Sequence, residues 1–159
     1  MAKFLFTPTI YSEKVITARI GGNAAGTRAN DYDTGKFVKL GGDSNYVLVS
    51  SADAIEGVVT SVETGVYDGY SLGGVVSKGF VEATANGLQA TAGTGTLAVG
   101  DYVLATAPAA IQTNDTAPRK VVKATDQAAA KAAPFKARVV SLGTAGTGAV
   151  GTTVVIDLL

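Results

Sequence analysis

The sequence predicts an all-β fold, a single small β-barrel or sandwich domain, from three observations. Val (20 residues) and Thr (19 residues) are abundant, and such β-branched side chains suit strands. The 20 glycines are spread along the chain, as is typical of turn and bulge positions. Turn signals also separate short apolar runs at intervals of about 8–15 residues. We therefore expect many short strands joined by tight connections.

Strand candidates follow one another along most of the chain. They are residues 15–20, 37–40, 46–50, 55–64, 70–77, 79–85, 101–106, 109–112, 119–123, 135–142 and 152–158. In 55–64 the side chains partly alternate, which predicts two distinct strand faces. The step at Lys78 is too short for an ordinary loop, so 70–77 and 79–85 fit one long strand bent at Gly79 equally well.

One segment has a different composition and is the only helix that we expect. Residues 126–133 are rich in Ala, an N-cap residue (Asp or Thr) is available at their start, and Pro134 ends them. Two helical turns are marginal in isolation. A short surface helix and an Ala-rich loop both remain open.

The N-terminal segment is rich in large apolar residues. We divide the chain into an extended arm, residues 1–14, and one β domain, residues 15–159. Pro8 favours extended over helical backbone in the arm. Large apolar groups at a terminus are seldom left in water, so the arm either packs on its own core or contacts a neighbouring subunit. The candidate contact residues are Phe4, Leu5, Phe6, Ile10 and Tyr11.

The composition argues against several classes of function. The chain contains no Cys, His or Trp, which excludes thiol nucleophiles, imidazole or thiolate metal sites and histidine acid–base chemistry. We therefore expect neither an enzyme nor a cofactor. Thirteen basic residues balance thirteen acidic ones, which argues against a nucleic-acid-binding surface. We find no bilayer-spanning stretch and no secretory signal, so we expect the chain to be made, and to remain, in a cytoplasm.

Residues 146–151 match the pattern G-x-G-x-x-G but lack its structural context. A dinucleotide site needs a helix to begin at the last glycine, so that the pyrophosphate lies at its N-terminus. Only residues 152–159 follow, and their pattern predicts a strand. We interpret the motif as a Gly/Thr-rich hairpin.

A second motif, Asp31-Tyr-Asp-Thr-Gly35, resembles the start of a calcium-binding loop. An EF-hand also needs a bidentate Glu near its twelfth position, and Gly42 stands there. We interpret the segment as a turn stabilised by Asp and Asn side chains. The remaining carboxylates lie mostly at turns, where Asp is favoured for backbone hydrogen bonding.

The order of several segments resembles that of a known protein class. The segments are Ile55-Glu-Gly-Val-Val-Thr, Leu72-Gly-Gly-Val-Val, Gly79-Phe-Val-Glu-Ala-Thr-Ala, Leu97-Ala-Val-Gly-Asp-Tyr-Val-Leu-Ala, Ala137-Arg-Val-Val-Ser-Leu-Gly-Thr and Gly151-Thr-Thr-Val-Val-Ile-Asp-Leu. They look like the small all-β decoration (cement) proteins of tailed bacteriophage capsids, with a Gly-Asp-x-Val hairpin at Gly100-Asp101. The resemblance covers residues 55–159 and leaves the N-terminal third unmatched.

The resemblance implies a structural virion protein on the outer surface of a phage head. It implies binding to the major capsid protein, stabilisation of the shell against internal pressure, and self-association with a trimer favoured. The alternative from a different class is a receptor- or sugar-binding β module of a phage tail or fibre. Fibre proteins usually show shaft repeats or a second domain, and neither is visible in this sequence.

Overall fold

A computed structural model describes residues 10–21, 28–42, 45–67, 70–106 and 119–159. The fold is all-β, as the sequence predicts. The strands are β1 (Ile10–Gly21), β2 (Phe37–Leu40), β3 (Tyr46–Leu48), β4 (Gly57–Tyr67), β5 (Tyr70–Leu88), β6 (Thr91–Ala92), β7 (Thr96–Leu97), β8 (Tyr102–Ala105), β9 (Lys120–Lys123), β10 (Ala137–Ser141), β11 (Gly148–Ala149) and β12 (Thr153–Leu158). The expected strand at 109–112 lies outside the described residues.

Strand β5 organises the whole fold. It runs for 19 residues and contains both candidate segments, 70–77 and 79–85. The interpretation of these segments as one long strand is therefore confirmed. Gly79 lies inside it with φ near 121°, a conformation that side chains other than glycine rarely adopt. Within one continuous sheet, the parts of β5 before and after Gly79 belong to two different circuits of strand pairing.

The second part of β5 closes a five-stranded barrel, which we call the first ring. Its pairing order is β5, β12, β10, β8, β9 and back to β5, where β9 is parallel to β5 and the other pairs are antiparallel. Alternate residues of β5, including Val81, Ala83 and Ala85, face the core of this ring, together with Ile156 and Val139. Closure of the ring removes the exposed strand edges that an open sheet would have.

The first part of β5 belongs to a second circuit of pairing, which we call the second ring. Its order is β5, β4, β2, β3, β1 and back to β5. A separate apolar cluster fills it, with Ile20, Val38, Val59 and Val75 fully buried. The sequence predicts a single barrel or sandwich and carries no local sign of this second ring, because its closure depends on contacts between distant parts of the chain.

The expected helix is present as α1 (Gln127–Ala132). Asp126 is its N-cap, and the Asp126 carboxylate accepts a hydrogen bond from the backbone N–H of Ala129. The side chain of Gln127 accepts a hydrogen bond from Tyr102 N–H and donates one to Tyr102 C=O, at 2.7 and 2.8 Å. These bonds hold the helix against the edge of β8.

Tyr46 gives the second ring a predicted pH dependence. Burial, and secondly the Glu56 carboxylate, raise the pKa of the phenol, so the folded state favours its neutral form. An unfolded tyrosine ionises near pH 10. Stability should therefore be fully present below about pH 10 and fall as the pH rises towards the higher folded pKa. We expect Tyr46→Phe to remove this part of the fall in urea unfolding experiments, and Tyr32→Phe, whose ring is exposed, to leave it.

Candidate interaction surface

The structure describes only part of the predicted contact arm. Phe4, Leu5 and Phe6 lie outside the described residues. Ile10 and Tyr11 begin β1 and pair with Val81 and Phe80 of β5 in the same chain. Residues 10–14 of the predicted arm are thus part of β1, which continues to Gly21 with register shifts in its pairing between Ser12 and Val15.

The part of the outer wall next to this strand carries an exposed aromatic side chain. Phe80, the backbone partner of Tyr11, is 46% exposed. On its other side it pairs with Asp157, which pairs with Arg138, which pairs with Tyr102. Paired residues project to the same side of a sheet, so these residues form one row across the wall of the first ring.

Along one edge of β5, pairing with β1 ends at Val81 and pairing with β9 begins at Thr84. Arg119 binds the backbone of β5 between these two points. Its Nε donates to the Glu82 carbonyl at 2.6 Å, and its Nη1 donates to the Gly35 carbonyl at 2.9 Å. Its own carbonyl accepts from Thr84 N–H at 2.7 Å. Burial lowers the pKa of the guanidinium, and the nearby Glu82 carboxylate opposes this effect. The edge of β5 is therefore occupied from Glu82 onward, immediately after the end of its pairing with β1.

We expect Arg119→Ala to lower the free energy of unfolding by about 2–4 kcal/mol, because two carbonyls lose a charged donor. Arg119→Lys should recover only part of this loss, since one ammonium group cannot reproduce the planar arrangement of donors. Urea unfolding measures both values. Lys120→Ala, a change at the exposed neighbouring residue, is the matched control and should change stability by less than about 0.5 kcal/mol. An Arg119→Ala loss no larger than that of the control would contradict the assignment.

The G-x-G-x-x-G motif and the Gly100-Asp101 pair lie in a short two-stranded ladder and in a turn, respectively. Gly148 of the G-x-G-x-x-G pattern lies in β11, which pairs with β7, and an added Cβ there would collide with the carbonyl of Leu97. The predicted hairpin at Gly100-Asp101 is wrong in its pairing. The turn itself forms, and Asp101 accepts a hydrogen bond from Ala98 N–H, but β7 pairs with β11 while β8 pairs with β9 and β10.

The Asp31–Gly35 motif forms a capped turn. The Asn30 side chain accepts from Tyr32 N–H, and the Asp33 carboxylate accepts from Asn30 N–H, so the two ends cap each other. Asp33 also pairs with Lys36, at 2.9 Å between Oδ1 and Nζ. Within the described residues no group of three or more His, Cys, Asp or Glu side chains could hold a metal ion.

Sequence reasoning missed a second surface, at the β7–β11 ladder. Residues 83–100 and 139–156 contain no charged residue, and the pairing of Thr96 with Ala149 brings these two stretches together. Val99 and Val150 are both exposed in the same segments. The centres of protein interfaces are depleted in charge, so this end of the first ring is another candidate contact surface. The two long uncharged stretches were the signal that could have found it.

Neither the search for membrane-spanning helices nor the comparisons with known proteins indicate what binds these surfaces. In the part of the chain that the structure describes, no helix is long and apolar enough to span a bilayer. No family model, curated protein or solved structure matches the chain.

Proposed function

We propose that this chain is a decoration protein that binds the outer surface of a tailed-phage capsid and stabilises the head. The proposal starts from the resemblance of residues 55–159 to that class. It is supported by the common location of most of those segments. Residues 79–85, 97–105, 137–144 and 151–158 all contribute to the first ring or to the turns that join its strands.

The observation that carries the proposal is the position of Ile10. At this residue β1 joins the edge of β5, next to the exposed ring of Phe80. The same edge of β5 is occupied by Arg119 and β9 from Glu82 onward. The edge of β5 beyond the end of β1 is therefore already occupied. In the proposal, Phe4, Leu5 and Phe6 bind the major capsid protein.

Co-sedimentation tests the function directly. The purified chain is mixed with expanded heads of the phage whose genome encodes it, and the mixture is separated on a density gradient. We expect the chain to move with the heads and to saturate at a fixed ratio to the major capsid protein. A chain that stays at the top of the gradient at every concentration would contradict the proposal. Binding to host cells in place of heads would favour the receptor-binding alternative.

A further inference from the structure

A second row of residues lies beside the row that contains Phe80 on the outer wall of the first ring. The strand register places it there, because the neighbouring pairs join β5 to β12 at Gly79 and β12 to β10 at Ala137. The N–H of Leu159 also donates to the carbonyl of Lys136 at 2.9 Å. The second row, at the ends of three neighbouring strands, consists of Lys78, Leu159 and Lys136.

The two rows together expose apolar and basic side chains. Phe80 is 46% exposed and Leu159 is 39% exposed, and they are diagonal neighbours across β5 and β12. Lys78 is exposed, and Lys136 is partly exposed. Neighbouring strands are about 4.8 Å apart, so the two lysines begin roughly 10 Å from each other. We call this part of the wall the basic strip and define it by Phe80, Asp157, Arg138, Lys78, Leu159 and Lys136.

The two lysines of the basic strip keep their charges available. Within the described residues neither Lys78 nor Lys136 takes part in an ion pair, and Lys136 Nζ donates to the neutral carbonyl of Lys131 at 3.1 Å. Other described lysines do form ion pairs, namely Lys36 with Asp33, Lys39 with Asp53 and Lys123 with Asp101. Cations that have no partner in their own chain are free to attract one from elsewhere.

The acidic groups near the basic strip are already engaged. Asp157 lies opposite Arg138 in the strand register, so these two charges offset each other. Glu82, two residues after Phe80 on β5, acts electrostatically on the guanidinium of Arg119. The strip thus has an excess of positive charge, although the whole chain has a formal net charge of zero.

We propose that the basic strip binds an acidic, partly apolar segment of the major capsid protein. The inference rests on the proposed function and names the chemistry of the surface that the chain meets. Carboxylates of the partner lie against Lys78 and Lys136, and its apolar side chains cover Phe80 and Leu159. Complementary charge of this kind selects the partner and speeds association. A nucleic acid fits less well, because a carboxylate and two large apolar side chains lie among the cations.

Charge reversal tests the contact through the affinity of the fluorescent chain for immobilised expanded heads. Lys78→Glu and Lys136→Glu should each weaken binding by roughly fivefold or more in about 50 mM NaCl, because attraction becomes repulsion. The difference from wild type should shrink in about 500 mM NaCl, since salt screens exposed charges. Lys120→Glu makes the same change at an exposed lysine of β9 and is the matched control. It should stay within about twofold of wild type, as a charge change away from the contact does.

The apolar part of the strip has its own variant. Phe80→Ser should weaken binding by about tenfold at both salt concentrations, because burial of an apolar side chain does not depend on charge. Unchanged circular dichroism would show that each variant is folded. If Lys136→Glu unfolds the chain, Lys78→Glu decides the question.

The outcomes separate this inference from the proposed function. Equal losses in Lys78→Glu and Lys120→Glu, or a Lys78→Glu loss that is the same at both salt concentrations, would overturn the basic strip as the contact and leave capsid binding standing. Competition with heads by a short DNA duplex would also overturn it, since the strip would then bind nucleic acid. A wild-type chain that binds no heads would contradict the proposed function, and this inference with it.

Discussion

Replacing Lys36 with Met is expected to lower the free energy of unfolding by about 3–5 kcal/mol, because it removes the cation that lies beside a buried carboxylate. Lys36 is 1% exposed and Asp33 is 0% exposed. Their charged groups are 2.9 Å apart. The pair is located where the chain enters the second ring, between hydrogen bonds from Gly35 N–H to Val59 C=O and from Val59 N–H to Lys36 C=O.

A double-mutant cycle isolates the ion pair from the capping contact. Asp33→Asn keeps a side-chain oxygen for Asn30 N–H but removes the charge. We expect Asp33→Asn/Lys36→Met to lose clearly less stability than the sum of the two single variants, because the contact between the two charges is then counted only once. Asp31→Asn, a change of an exposed carboxylate in the same turn, should change stability by less than about 0.5 kcal/mol. Urea denaturation provides all four values, and a Lys36→Met loss below about 1 kcal/mol would contradict the expectation.

The second large effect concerns binding. The triple variant Phe4→Ser/Leu5→Ser/Phe6→Ser should weaken binding to phage heads by more than about a thousandfold. Each large apolar side chain that becomes buried contributes roughly 1.5–3 kcal/mol, which corresponds to about a tenfold to hundredfold change in affinity. The chain should keep its urea midpoint, because the described cores of both rings are built from other residues. Fluorescent-chain binding to immobilised heads gives the affinity.

Controls separate this explanation from its alternatives. Val99→Ser and Val150→Ser remove exposed apolar groups from the uncharged end of the first ring and should leave the affinity within about twofold of wild type. A loss of affinity in these variants, with full binding by the triple variant, would move the contact from the arm to the β7–β11 ladder. A triple variant that unfolds would instead place the arm residues in the core of their own chain.

Local signals predicted the elements well. The strand at 37–40 was predicted with its observed bounds, since a polar turn precedes it and glycines follow it. The positive φ inside β5 occurs at the glycine that the sequence singled out, and α1 lies within the predicted Ala-rich stretch 126–133, between Asp126 and Pro134. In each case the deciding residue lies within a few positions of the feature that it predicts.

Long-range pairing could not be predicted in the same way. The turn at Gly100 is local, and it forms as expected. The partner of β7 is β11, about fifty residues further along the chain, and this contact depends on Gly148 having no side chain. The buried Lys36 was also missed, because lysine is almost never fully buried unless it is paired, and the pairing is visible only in the folded chain.

An electron cryo-microscopy reconstruction of phage heads incubated with the purified chain would show whether and where the chain binds the shell. We expect added density on the outer face of the shell that fits the two rings joined by β5, with the end of β1 at Ile10 turned towards the capsid protein. A shell that is the same with and without the chain, or density for the chain only on the inner face, would contradict it.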